Sequence, residues 1–131
     1  MNGRVLLVDD EEDLVETLRI RLESEGFEVG TAGDGAAAIE QARLFRPDVV
    51  LLDTVMPGMD GWEACRRLKE DPATKKLPII IFTANCTEAS LNRAIAAGAD
   101  RVIIKPFDPD ELLKALKQAG HSPSPPQSKR P

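Results

Sequence analysis

Val49-Val50-Leu51-Leu52-Asp53 is the stretch on which the fold turns. Four consecutive apolar residues leave no polar face, which suits a strand covered on both sides; a strand with one wet face alternates apolar and polar. The run ends in a carboxylate and gives way to Thr54-Val55-Met56-Pro57-Gly58-Met59-Asp60-Gly61, whose proline and glycines mark a loop. Asp53 is therefore expected at the end of a buried parallel strand, in the crevice where open α/β sheets place their chemistry.

Working outward, the same pattern recurs. Val5-Leu6-Leu7-Val8 runs into Asp9-Asp10-Glu11-Glu12-Asp13, Ile79-Ile80-Ile81-Phe82 ends at Thr83, and Val102-Ile103-Ile104 ends at Lys105-Pro106. Residues 27–32 read as a shorter, more exposed strand. Helical spacing fills the intervals: Leu14, Leu18 and Leu22 with Val15 beside them, stopped by Gly26; Ala36 to Phe45, Ala-rich with Ile39, Ala42 and Leu44, stopped by Arg46-Pro47; and Trp62 to Lys69, with Cys65 and Leu68 inside, broken at Asp71-Pro72. Glu88 to Ala97 lies between a Thr87 cap and Gly98, and Asp108 caps a last helix carrying Leu112, Leu113 and Leu116. Five alternations of strand and helix imply an α/β fold, a parallel sheet with helices on both faces joined by right-handed crossovers.

With 131 residues, the chain has the length of one domain. Residues 1–119 are expected to form it. Residues 120–131 hold four prolines, three serines and the lone His121, and read as a disordered tail or linker. No apolar stretch approaches the roughly 20 residues needed to cross a bilayer, and the amino terminus lacks a signal peptide's pattern, so a cytoplasmic protein without membrane association is expected. A net charge of −5 argues against direct nucleic-acid binding, which needs clustered Lys and Arg. Cys65 and Cys86 form no metal-spaced pair and read as reduced packing residues.

Four strand ends thus hand over reactive residue types: Asp9 and Asp10, Asp53, Thr83, and Lys105. An acid after a strand is most often only a helix cap, so no single one is informative; the coincidence at four ends is. In a parallel sheet all these ends lie on one side. Two carboxylates 4 Å apart repel by about 4 kcal/mol at an effective dielectric near 20, and three together favour protonation or a bound cation. All-oxygen ligands and an open site suit Mg²⁺ better than Zn²⁺. Beside a divalent ion, a carboxylate nucleophile, a hydroxyl and an ammonium are parts for phosphoryl transfer, with Asp53 the natural nucleophile and Lys105 its salt-bridge partner at rest.

At this point the chain resembles the receiver domain of a bacterial two-component response regulator, of the chemotaxis-regulator kind, over about residues 3–119. The resemblance is carried by Val8-Asp9-Asp10-Glu11, by Leu52-Asp53-Thr54-Val55-Met56-Pro57-Gly58-Met59-Asp60-Gly61, by Phe82-Thr83-Ala84 and by Lys105-Pro106-Phe107. It implies a flavodoxin-like (βα)5 three-layer sandwich with strand order 2-1-3-4-5, an order taken from the family as well as from the alternation. It implies that Asp53 accepts a phosphoryl group from a histidine kinase or histidine phosphotransfer protein. Asp10, Asp53 and the backbone carbonyl of Val55 would bind Mg²⁺, with Asp9 orienting a metal-bound water. Thr83 would close on the phosphoryl group and Lys105 would pair with it, after a Lys105-Pro106 peptide that is cis in the family. Such a domain catalyses only its own phosphorylation and dephosphorylation, and signals by biasing its last two helices and last strand toward a downstream protein, a carboxyl-terminal effector or a second copy of itself.

Two positions depart from the family pattern. The switch position three residues before Lys105 commonly holds Tyr or Phe and here is Val102, in a chain with no Tyr. Val55, two after Asp53, is apolar where relatives are often polar; it and Asn85 flank the water path, and Val55 is expected to slow phosphate loss. The alternatives are a phosphorylation-independent pseudo-receiver acting as an interaction module, and a haloacid-dehalogenase-type phosphatase. The latter carries a second acid two residues after its nucleophile and places that nucleophile after the first strand. A nucleotide-binding module lacks its Gly-rich loop. The short tail fits both a stand-alone receiver and one cut from a longer protein at its linker.

Overall fold

The computed structural model of the protein describes residues 3–54, 61–84, 87–105 and 108–121. Strands β1 (Arg4–Val8), β2 (Glu28–Ala32), β3 (Val49–Asp53), β4 (Ile79–Thr83) and β5 (Arg101–Ile104) alternate with helices α1 (Glu12–Ser24), α2 (Gly35–Phe45), α3 (Gly61–Glu70), α4 (Glu88–Ala97) and α5 (Pro109–His121). All pairings are parallel, in the order β2-β1-β3-β4-β5 expected for the family. The central strands are the three all-apolar runs. Every residue of β3 and β4 is buried, while β2, at an edge, is the mixed and more exposed one.

Alternation along the strands sends side chains to two separate cores. Val5, Leu7, Val49, Leu51, Ile80, Phe82 and Ile103 pack with Leu18 and Leu22 of α1 and with Leu112, Leu113 and Leu116 of α5. Their neighbours Leu6, Val8, Val50, Leu52, Ile79 and Ile81 pack with Ala38 and Ala42 of α2, Ala64, Cys65 and Leu68 of α3, and Ala94 of α4. Fully burying one such Leu or Ile is worth about 1.5–3 kcal/mol. Val102 on edge strand β5 is half-buried against the second core.

Helix ends follow their sequence signals, with adjustments. The Thr87 hydroxyl accepts from the Ser90 N–H, and Gly98 closes α4 at φ 93°. The Asp34 carboxylate caps α2 by accepting from the Ala37 N–H, a role its place in a Gly-Asp-Gly turn had hidden. Arg46 ends α2 in the left-handed conformation at φ 54°, followed by Pro47, which cannot continue the helix. Leu44 is 69% exposed and does not belong to the buried stripe of α2. α5 continues to His121, two residues beyond the limit of 119 set from composition.

Arg66 and Arg67 hydrogen-bond Glu63 on the outside of α3 and hold its carboxyl down at about 2. The Ala73 N–H and then Arg43 likewise depress Asp71. Whatever such exposed pairs contribute is present above the ordinary carboxylate range and lost as pH falls through the lowered values. Cys65 is buried, its thiol donates to the Ala97 carbonyl at 3.5 Å, and burial pushes its pKa up to about 11. At pH 8 roughly one thiol in a thousand is then thiolate, against about a quarter in the unfolded chain. Iodoacetamide is expected to leave Cys65 unmodified in the native protein and to alkylate it in denaturant; equal labelling in both, read by peptide mass spectrometry, contradicts this.

Candidate functional site

The carboxyl ends of β1, β3, β4 and β5 converge as the parallel sheet requires. Asp9 and Asp10 follow β1, Asp53 ends β3, Thr83 ends β4 and Lys105 follows β5. Ligand oxygens of Asp9, Asp10 and Asp53 all lie within 4.8 Å of one another. Asp9 and Asp53 are buried, at 3% and 6% exposure, while Asp10 is exposed. Three hard oxygen donors, two desolvated and one facing outward, form a set that fits Mg²⁺. Beside them an open groove is lined by Glu12, Val15, Glu16 and Thr31. The Val55 carbonyl, Asn85, Cys86 and Pro106 lie outside the described residues, and the proposed metal ligand and cis peptide with them.

The local chain explains how the acids are held. Glu11 is the N-cap of α1 but makes no side-chain cap; its N–H instead donates to Asp9 Oδ1 at 2.9 Å. Asp9 Oδ2 accepts from Lys105 Nζ at 3.2 Å. The salt bridge from Lys105 to Asp53 expected from the sequence is present. In the structure the ammonium sits closest to Asp9, with Asp53 Oδ1 at 3.7 Å and Glu11 Oε1 at 3.9 Å. Both carboxylates are buried, so the one ammonium serves two desolvated charges at once, hydrogen-bonding Asp9 and ion-pairing with Asp53. Lys105 Nζ also lies 4.6 Å from the centroid of the Phe82 ring, a cation–π contact that fixes the stem.

Sheet register distributes the site over two faces. Asp53 pairs with Phe82, whose ring belongs to the core beneath α1 and α5, and Lys105 lies over that ring. Thr83, next along β4, points the other way, toward α3 and α4. Thr54 joins the two sides. Its N–H donates to Asp53 Oδ1 at 2.9 Å, and its hydroxyl lies 2.9 Å from that of Thr83, both threonines being buried. Thr54 carried no sequence signal, because a Thr after a strand is ordinary.

The sequence predicts a helix from Trp62; in the structure it starts one residue earlier, at Gly61. It opens α3 with its N–H on the Thr54 carbonyl, and a Cβ there would stand 2.1 Å from the Asp53 carbonyl oxygen and 2.6 Å from Thr54 Cα. Only glycine lets α3 start against the backbone that carries Asp53.

This arrangement has known counterparts. The sequence model of the response regulator receiver domain matches residues 5–117. The phosphate regulon transcriptional regulatory protein PhoB of Rhizobium meliloti is 46% identical over 119 residues, covering 89% of this chain and 52% of that protein. This chain thus spans about half the length of such curated relatives. Chemotaxis protein CheY4 of Vibrio cholerae superposes with a TM-score of 0.85 at 33% identity, over 91% of this chain and 99% of that one. The receiver domain of sensor histidine kinase PA1611 from Pseudomonas aeruginosa, with a magnesium ion coordinated in its active site cleft, gives 0.86 at 30% identity over 93% and 100%. No helix among the described residues is long and apolar enough to cross a membrane. With the motifs, the strand order and the family match in agreement, the chain belongs to the response regulator receiver domain family.

Proposed function

We propose that this chain is a phosphoacceptor of a two-component system, in which Asp53 takes a phosphoryl group from the phosphohistidine of a kinase or phosphotransfer protein. The observation that carries it is the buried Asp53 carboxylate at a strand end, within 4.8 Å of two further carboxylates and 3.7 Å from an ammonium. A carboxylate oxygen attacks phosphorus, the P–N bond breaks, and the leaving imidazole nitrogen keeps the electron pair and takes a proton. Asp10 and Asp53 would hold Mg²⁺ with the Val55 carbonyl. Both Asp9 oxygens already accept hydrogen bonds, which suits Asp9 to orienting a ligand water. The metal would neutralise charge on the phosphoryl oxygens. Lys105 has the reach to pivot from Asp9 toward a phosphoryl group on Asp53, and Thr83 would donate its hydroxyl to it.

Support for Mg²⁺ comes from the acid cluster and from the magnesium described in the PA1611 receiver domain. A cytoplasmic site of action and an output through an effector domain, a separate protein or self-association belong to the same reading. The family match does not favour the phosphatase alternative. Mass spectrometry after incubation with acetyl phosphate and Mg²⁺ should show one phosphoryl group on the native chain and none on Asp53→Asn. No adduct on the native chain, or an undiminished one on the variant, overturns the proposal.

A further inference from the structure

We infer that Phe82 is a positioning residue: the face of its ring seats the Lys105 ammonium between Asp9 and Asp53, and keeps it there when a ligand takes up the charge of those acids. This rests on the reading of Asp53 as phosphoacceptor and deepens it. Lys105 Nζ stands 4.6 Å from the ring centroid, well inside the roughly 6 Å over which a cation is drawn to an aromatic face. The ring is fully buried and the lysine side chain only 19% exposed, so water screens little of that attraction.

Apolar packing alone does not ask for an aromatic here. The other strand residues of the same core, Val5, Leu7, Val49, Leu51, Ile80 and Ile103, are aliphatic. Phe82 differs from them in lying opposite Asp53 in the β3–β4 register, under the lysine. The sheet and the core fix its ring, which thus offers a rigid platform to a flexible four-carbon stem.

Use of the site affects the ring and the acids differently. Asp9 Oδ2 at 3.2 Å, Asp53 Oδ1 at 3.7 Å and Glu11 Oε1 at 3.9 Å attract the ammonium through their charge. A divalent cation among the acids weakens that pull and repels the ammonium directly. The quadrupole of the ring is the same with or without it. Its share of the hold on Lys105 therefore rises when the ammonium is needed at the phosphoryl oxygens. Without the ring, the lysine regains rotamer freedom by swinging into solvent.

In the full chain, Phe82 is replaced by mono-, di- and trifluorophenylalanine, which nearly keep the ring's shape and strip negative charge from its face stepwise; Phe82→Leu fills the core with no ring face. The ε-methylene protons of Lys105 are followed by NMR with and without saturating Mg²⁺, and phosphoryl uptake from acetyl phosphate by a mass-spectrometric time course. In the native chain these protons should stand upfield through the ring current and stay there in Mg²⁺. Along the fluorine series in Mg²⁺, the ratio of seated to released ammonium should fall, about fivefold with three fluorines, and uptake should slow in the same order. A ring that only packs would leave both unchanged. Phe82→Leu should lose the upfield shift and take up phosphoryl groups no faster than the trifluoro protein. A native shift that Mg²⁺ abolishes, uptake that does not change along the series, or native uptake by Phe82→Leu overturns this inference alone. A native chain that takes up no phosphoryl group overturns the functional reading, and the shift in Mg²⁺ still decides whether the ring seats the ammonium.

Discussion

Replacing Gly61 by Ala is expected to lower the free energy of unfolding by about 3 kcal/mol, the upper range for overpacking, because the new methyl group meets backbone. Its nearest neighbours are the Asp53 carbonyl oxygen at 2.1 Å and Thr54 Cα at 2.6 Å. A flexible side chain could swing away; the end of a fully buried central strand cannot without disturbing its pairing to β1 and β4. Relief has to come from moving α3 outward, which breaks the Gly61 N–H to Thr54 carbonyl bond and loosens Ala64, Cys65 and Leu68 in the second core. For a domain with about 5–15 kcal/mol in hand this is a large fraction. The displaced backbone carries both Asp53 and Thr54, so Mg²⁺ affinity should fall as well. Urea unfolding with a midpoint within error of wild type would show that the helix start gives way freely, contrary to the packing described.

Lys105→Met produces two effects of opposite sign. The ammonium holds Asp9 at 3.2 Å and Asp53 at 3.7 Å, and Asp9 has no exposed side-chain surface. Removing it leaves three carboxylates facing one another, at a cost of about 2 kcal/mol in the absence of divalent ions, below the 3–5 kcal/mol typical of a broken buried pair because Asp10 keeps the site open to water. The ammonium also repels any cation entering among the acids, so Mg²⁺ should bind about tenfold more tightly to the variant, and saturating Mg²⁺ should return much of the lost stability. Phosphoryl capture, by contrast, should drop at least about a hundredfold if, as proposed, this ammonium meets the phosphoryl oxygens. Titration calorimetry with Mg²⁺ and a mass-spectrometric time course separate the two effects. Weaker Mg²⁺ binding in Lys105→Met would mean that the lysine organises the acids and does not compete with the ion.

Much of this was legible in the residues alone. Runs with no polar face, at 5–8, 49–52 and 79–82, became the three central strands, since only a strand buried on both sides tolerates such a run. The acids, hydroxyl and ammonium following those runs were bound to share one edge once the strands were parallel. Boundaries were less legible: Asp34 as a cap and Gly61 as a helix start depend on contacts a few residues away that periodicity does not weigh.

The alternation, the strand cores and the identity of the residues at the strand ends were already written in the chain, because local hydrophobic patterning and turn chemistry dictate them. Who faces whom came from the packing of the whole domain. Lys105 lies nearest Asp9, 96 positions away, with Asp53 also in ion-pairing distance, because the sheet sets the ends of β1, β3 and β5 side by side. Thr54 meets Thr83 across the sheet because the β3–β4 register and the pleat put both hydroxyls on one face and Asp53 on the other. Register is a relation between strands, and no single stretch of chain contains it.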